Sequence, residues 1–85
     1  MNINFSLLKD LVSIYGPASN EKAIREYIKN EIKDYVDEIE TDSLGNLIAR
    51  KKGNGKRIMI SAHMDQIGLM VTDIDEKGFL RFTNV

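Results

Sequence analysis

The chain contains a single histidine, His63, and Asp65 follows it two positions later. An imidazole can bind a metal ion through one ring nitrogen while a carboxylate accepts a hydrogen bond from the other nitrogen, which fixes the orientation of the ring. In an extended segment, side chains two residues apart point to the same side, so this pair can converge. The spacing predicts that His63 is a metal ligand and that Asp65 orients it. A structural, hydrogen-bonded role for His63 fits the same spacing.

An apolar segment leads directly into this pair. Residues 57–62 hold three consecutive apolar residues, followed by two small ones. Such a run is typical of a strand that is covered on both faces. We therefore expect a buried strand over residues 57–62, with His63 at its carboxyl end, where open α/β sheets bind their ligands.

Two helices are predicted before this strand. Residues 5–15 and 19–36 both place apolar side chains at helical spacing, and a glycine–proline pair separates them. Asn4 and Ser19 are the residues expected to cap the two helix starts.

The remaining segments alternate with a period of two and are bounded by turn residues, which predicts strands. The chain is thus expected to form an α/β fold with two helices followed by a β-meander. Besides the strand at 57–62, the predicted strands are residues 38–42, 47–52, 69–74 and 79–85.

The composition excludes several functional classes. The 85 residues contain no cysteine, which removes disulfides, thiolate metal sites and cysteine nucleophiles. Twelve basic and thirteen acidic residues give a net charge of -1, and no basic stripe indicates a nucleic-acid partner. The first residues do not resemble a signal peptide, and no apolar run is long enough to span a bilayer. We expect a cytoplasmic protein with no membrane partner.

Three segments resemble those of a known enzyme family. Residues 61–71, SAHMDQIGLMV, are similar to the metal-ligand segment of the dinuclear metalloaminopeptidases that assemble into tetrahedral particles. That family includes glutamyl and deblocking aminopeptidases, and some members carry an endoglucanase label. Residues 42–49 and 75–82 are similar to two further family segments, in the same order and spacing. The chain therefore resembles an N-terminal fragment of such an enzyme.

The resemblance implies roles for individual residues. His63 matches the first metal-binding histidine of the family, and Asp65 matches the aspartate that orients it. Gln66 departs from the family pattern, where a glutamate is usual, and receives no catalytic role. The general-base glutamate and the remaining metal ligands of the family are implied to lie beyond Val85.

The resemblance also implies a fold and a reaction. Residues 1–68 would be the N-terminal part of a mixed-sheet, zinc-exopeptidase-like catalytic domain, and residues 69–85 would be strands leading into an inserted, here incomplete, β domain. In the family, two divalent metal ions (zinc or cobalt) bind the amino end of a peptide and activate the water that cleaves its first peptide bond. The expected function is a piece of a metal-dependent aminopeptidase that is inactive alone. Its partners would be the rest of the polypeptide, a peptide substrate and, in the complete enzyme, further copies of itself.

Two other interpretations stay open from the residues alone. Other zinc exopeptidases and amidohydrolases also place a His-x-Asp pair at a strand end, although Met64 and residues 66–68 argue against them. Alternatively, the chain is a small non-enzymatic α/β module that binds a partner through an open sheet edge, with His63 in a structural role.

Overall fold

Two helices precede two antiparallel hairpins in the computed structural model, which describes residues 4–85. The hairpins form separate two-stranded sheets, β1–β2 and β3–β4, and do not join into one continuous meander. The predicted α/β class is confirmed. The elements are α1 (Phe5–Ser13), α2 (Lys22–Ile32), β1 (Glu38–Thr41), β2 (Leu47–Arg50), β3 (Leu69–Ile74) and β4 (Leu80–Asn84).

The two helix starts differ in how they are capped. The side-chain oxygen of Asn4 accepts a hydrogen bond from the backbone N–H of Leu7 at 3.0 Å, so the predicted cap of α1 is confirmed. The predicted cap of α2 is wrong, because Ser19 adopts a left-handed backbone conformation with φ 69° and its own N–H donates to the Glu21 carboxylate at 2.8 Å. Helix α2 instead begins after Glu21, which makes no side-chain capping bond.

Ile24 on α2 is the one buried large apolar side chain in the described part of the chain, at 3% exposure. It packs against the α1–α2 loop at Gly16, where a Cβ atom would lie only 2.8 Å from the Ile24 Cγ2 atom. The Tyr27 hydroxyl adds a link between the helices by donating to the Asp10 carboxylate at 3.2 Å. The helical part is therefore organised around one packed side chain and the loop beside it.

The β1–β2 hairpin depends on a turn that is held by Asp42. The carboxylate of Asp42 accepts hydrogen bonds from the backbone N–H groups of Leu44 and Asn46, at 3.0 and 2.9 Å. Gly45 has φ 87°, a conformation that glycine adopts without steric cost. The tight connection predicted between these strands is thus confirmed.

The predicted buried strand at residues 57–62 is wrong. These residues have no strand partner, and the side chains of Ile58, Met59 and Ile60 are 86%, 89% and 92% exposed. A strand requires neighbours for its backbone N–H and C=O groups, and neither two-stranded sheet extends to this segment. The apolar run therefore leads to His63 as an extended, uncovered connection.

The β3–β4 hairpin is exposed on both faces. Its turn is fixed by Asp75, whose carboxylate accepts from the backbone N–H groups of Lys77 and Phe79, both at 2.9 Å. At the base of the hairpin, the N–H of Val85 donates to the carbonyl of Gly68 at 3.1 Å. Gly68 is therefore the point at which the hairpin joins the segment that carries His63. Across residues 4–85, every helix is too short and too polar to cross a bilayer.

Candidate metal-ligand site

His63 and Asp65 meet in the folded chain. The Nδ1 atom of His63 lies 3.0 Å from Oδ1 of Asp65 and 3.1 Å from the backbone carbonyl oxygen of Asp65. Both oxygens are acceptors when the carboxylate is ionised, so Nδ1 carries the proton and donates to them, and the lone pair of the neutral ring is on Nε2. The His63 side chain is 86% exposed and the Asp65 side chain 44% exposed. The pair thus presents Nε2 of an oriented imidazole at an open surface.

The α1–α2 loop supports this segment through the backbone. The N–H of Gln66 donates to the carbonyl of Gly16 at 2.9 Å, and Pro17 forms an isolated parallel bridge with Gln66. Gly16 and Pro17 are both buried. Sequence reasoning assigned these two residues only to the end of a helix and missed their contact with the segment that follows His63.

Gly68 lies directly against the same loop. A Cβ atom at Gly68 would lie 2.7 Å from the Cβ atom of Pro17, a distance that real Cβ atoms do not tolerate. The close approach therefore requires glycine at this position. One indication of this close approach is present in the sequence. Gly68 follows His63 by five positions and is not part of a predicted turn.

The described residues fit the contribution of one metal ligand. No group of three or more His, Asp or Glu side chains that could hold a metal ion occurs within residues 4–85. Protein zinc sites use three or four protein ligands, so His63 with its supporting carboxylate accounts for one part of a site. Gln66 carries an uncharged amide, is exposed, and adds no carboxylate to the set.

An open cavity borders the candidate site. Its volume is about 1390 Å³, and its lining includes His63 and Asp65 at one end of the chain segment and the α2 residues Ile28 and Ile32. The exposed apolar run that precedes His63 forms another wall. The surface beside His63 is therefore open to solvent and partly apolar.

Comparison with known proteins finds a family model that matches part of the chain. Residues 45–85, which include His63 and Asp65, match the family model described as M42 glutamyl aminopeptidase. The predicted resemblance to this aminopeptidase family is confirmed over residues 45–85. The chain is 41% identical to the lysyl aminopeptidase of Pyrococcus furiosus, over 93% of this chain and 23% of that protein. It is 63% identical to an Acetivibrio thermocellus protein with a provisional aminopeptidase name, over 95% of this chain and 24% of that protein.

Two solved structures share the same backbone arrangement over this chain. A Thermotoga maritima protein named endoglucanase superimposes with a TM-score of 0.80 at 41% identity, over 92% of this chain and 26% of that one. PhTET1-12s, solved as a dodecamer, gives a TM-score of 0.81 at 42% identity, over 100% of this chain and 26% of that one. This agreement confirms the expected α/β class. The chain spans about a quarter of the length of the curated relatives that it matches.

Proposed function

We propose that this chain acts as the N-terminal part of a metal-dependent aminopeptidase, in which His63 is a metal ligand and Asp65 orients it. The observation that carries the proposal is the 3.0 Å hydrogen bond between these side chains, within the stretch that matches the M42 family model. This match also favours the aminopeptidases over other His-x-Asp hydrolases and over a non-enzymatic module.

The contacts of the two residues support these roles. Asp65 holds the proton of His63 on Nδ1 through two acceptor oxygens, at 3.0 and 3.1 Å, so Nε2 is the nitrogen that would bind a divalent ion. The carboxylate of Asp65 would hold the ring in the orientation that a bound ion requires. A bound zinc or cobalt ion would supply Lewis acidity and would activate a water for peptide hydrolysis. The proposal includes two such ions, with the other ligands and the general base contributed from outside this chain.

The proposal extends to organisation, partners and location. Residues 1–68 would belong to the catalytic domain, and residues 69–85 would lead into an inserted β domain, which agrees with the hairpin exposed on both faces. The rest of the polypeptide would cover the exposed run at Ile58–Ile60. We propose peptides as substrates, a cytoplasmic location and a homo-oligomeric complete enzyme; the dodecamer of PhTET1-12s supports the last point. Nucleic acids and membranes are not among the proposed partners.

A chimera tests this function directly. The chain would be joined to the C-terminal three quarters of its Acetivibrio relative, which is 63% identical over the shared part. Metal-dependent release of N-terminal residues from peptides and the bound metal per chain would then be measured. We expect His63→Ala to abolish the activity and to lower the metal content, because an imidazole ligand is removed.

Glu76→Gln is the matched control, since Glu76 is an exposed residue of the β3–β4 turn, and it should leave both quantities unchanged. A folded His63→Ala chimera with the activity and metal content of its parent would overturn the assignment of His63.

A further inference from the structure

We propose that the α1–α2 loop acts as a clamp that positions the His63 ligand, with Pro17 and Gly68 as positioning residues. The clamp is defined here as Gly16 and Pro17 on the loop and Gln66 and Gly68 on the segment after His63. Its importance for the reaction rests on the proposed function, but its geometric effect on His63 does not depend on a bound metal.

The first part of the argument concerns a single peptide unit. The Asp65 carbonyl oxygen and the Gln66 N–H belong to the same peptide bond, which is planar. The carbonyl oxygen accepts from His63 Nδ1 at 3.1 Å, and the N–H donates to the Gly16 carbonyl at 2.9 Å. Because the two groups lie in one rigid plane, an anchored Gln66 N–H also fixes the direction of the acceptor that His63 uses.

The second part concerns how the loop reaches this peptide. The backbone of the segment approaches Pro17 so closely that a Cβ atom at Gly68 would lie 2.7 Å from the Pro17 Cβ atom. Before Asp65, a Cβ atom added to Gly16 would lie 3.9 Å from the carbonyl oxygen of Met64. The loop therefore contacts the segment after Asp65 and lies near it before Asp65, and small residues make this approach possible.

The third part concerns what else could hold the segment. Residues 57–63 are exposed, and their backbone has no strand partner. The chain before His63 therefore offers no strand contacts that could fix its position. On the far side, Gly68 is tied to the hairpin through the Val85 N–H at 3.1 Å. The loop and this single bond are thus the backbone anchors of the ligand segment within the described residues.

The test uses the 85-residue chain itself, because its single histidine gives unambiguous ring-nitrogen signals in ¹⁵N NMR. In alkaline buffer, where free imidazole is neutral, the two ¹⁵N shifts report how much of the ring carries its proton on Nδ1. Hydrogen exchange of the Gln66 amide reports whether its bond to Gly16 is formed. Neither readout requires metal or activity, so this inference can fail while the chimera experiment succeeds, and the reverse.

The variant Gly68→Ala introduces the methyl group that meets Pro17. We expect it to remove the protection of the Gln66 amide and to shift the ring nitrogens toward the values of an unconstrained histidine. Gly53→Ala is the matched control, because no atom lies within 4 Å of the position of its added Cβ atom, and it should change neither signal.

Three outcomes would overturn the proposal: an unchanged Gln66 amide in folded Gly68→Ala, an exposed amide with an unchanged His63 tautomer, or an equal response in Gly53→Ala. If Gly68→Ala unfolds the chain, Pro17→Gly provides the measurement, because it opens the contact without a clash. A fully retained His63 tautomer in that variant would also refute the positioning role.

Discussion

Replacing Asp65 separates the two acceptors that hold the His63 ring. Asp65→Ala removes Oδ1, at 3.0 Å from Nδ1, but leaves the backbone carbonyl oxygen at 3.1 Å. An intramolecular hydrogen bond contributes about 0.5–1.5 kcal/mol, and the lower part of that range applies because the His63 side chain is 86% exposed. A loss of about 0.5–1 kcal/mol corresponds to a roughly two- to fivefold change in the ratio of the two neutral tautomers.

The assay is ¹⁵N NMR of the single histidine in the 85-residue chain. Asp65→Asn is the informative control, because its amide oxygen can still accept from Nδ1 while the negative charge is gone. We expect Asp65→Asn to keep most of the Nδ1–H form and Asp65→Ala to lose part of it. In the chimera, both variants should also weaken metal binding, by about ten- to a hundredfold for Asp65→Ala, because the carboxylate orients the imidazole and its negative charge attracts the cation.

An unchanged tautomer ratio in Asp65→Ala would refute this reasoning, since the carbonyl oxygen alone would then be sufficient to orient the ring. Complete loss of the Nδ1–H form would also refute this reasoning, because the backbone carbonyl of residue 65 would then contribute nothing to holding the ring.

Three further predictions concern the fold. Ile24→Ala should lower the free energy of unfolding in urea by about 2–5 kcal/mol, since this side chain is 3% exposed; a loss below that of a surface substitution would contradict its role as the core. Gly45→Ala should cost about 1–2 kcal/mol because φ is 87°, whereas Gly53→Ala should be neutral or stabilising, and equal effects would contradict this account. The hydrogen bond that the Asn46 side chain donates lowers the pKa of the Asp42 carboxyl. The ionised carboxylate therefore stabilises the fold above about pH 4, and this stabilisation is lost as the pH falls through the lowered pKa. Asp42→Asn should therefore flatten the acid side of a plot of Tm against pH, and an unchanged plot would remove Asp42 as the cause.

Local features of the fold were predicted from the sequence, and features that depend on distant partners were not. The Asn4 cap, the turn at Asp42 and the strand Leu69–Ile74 each depend on residues close in sequence, and the structure contains all three. The strand at 57–62 was predicted from its apolar run alone, but a strand also requires neighbours, and the described residues supply none.

The same distinction holds at the candidate site. The contact between His63 and Asp65 spans two residues and followed from their spacing, and their metal role stays a prediction. The contact between Gly16 and Gln66 joins the loop after the first helix to the segment after His63. No local sequence pattern predicts this contact. Glycine and proline next to a helix end are already explained by the end of the helix. Their contact with the segment after His63 therefore had no separate signal in the sequence.

The hydrogen bond between Gly16 and Gln66 also has a consequence for the order in which the chain folds. Both hairpins close through short turns, and β-hairpins of this kind form in about 1–10 μs. The Gly16–Gln66 bond instead closes a loop of about fifty residues. Closing this loop costs conformational entropy before any contact across it can compensate. We therefore expect this bond to form after both hairpins, so the His63 segment acquires its final position only in the last step of folding.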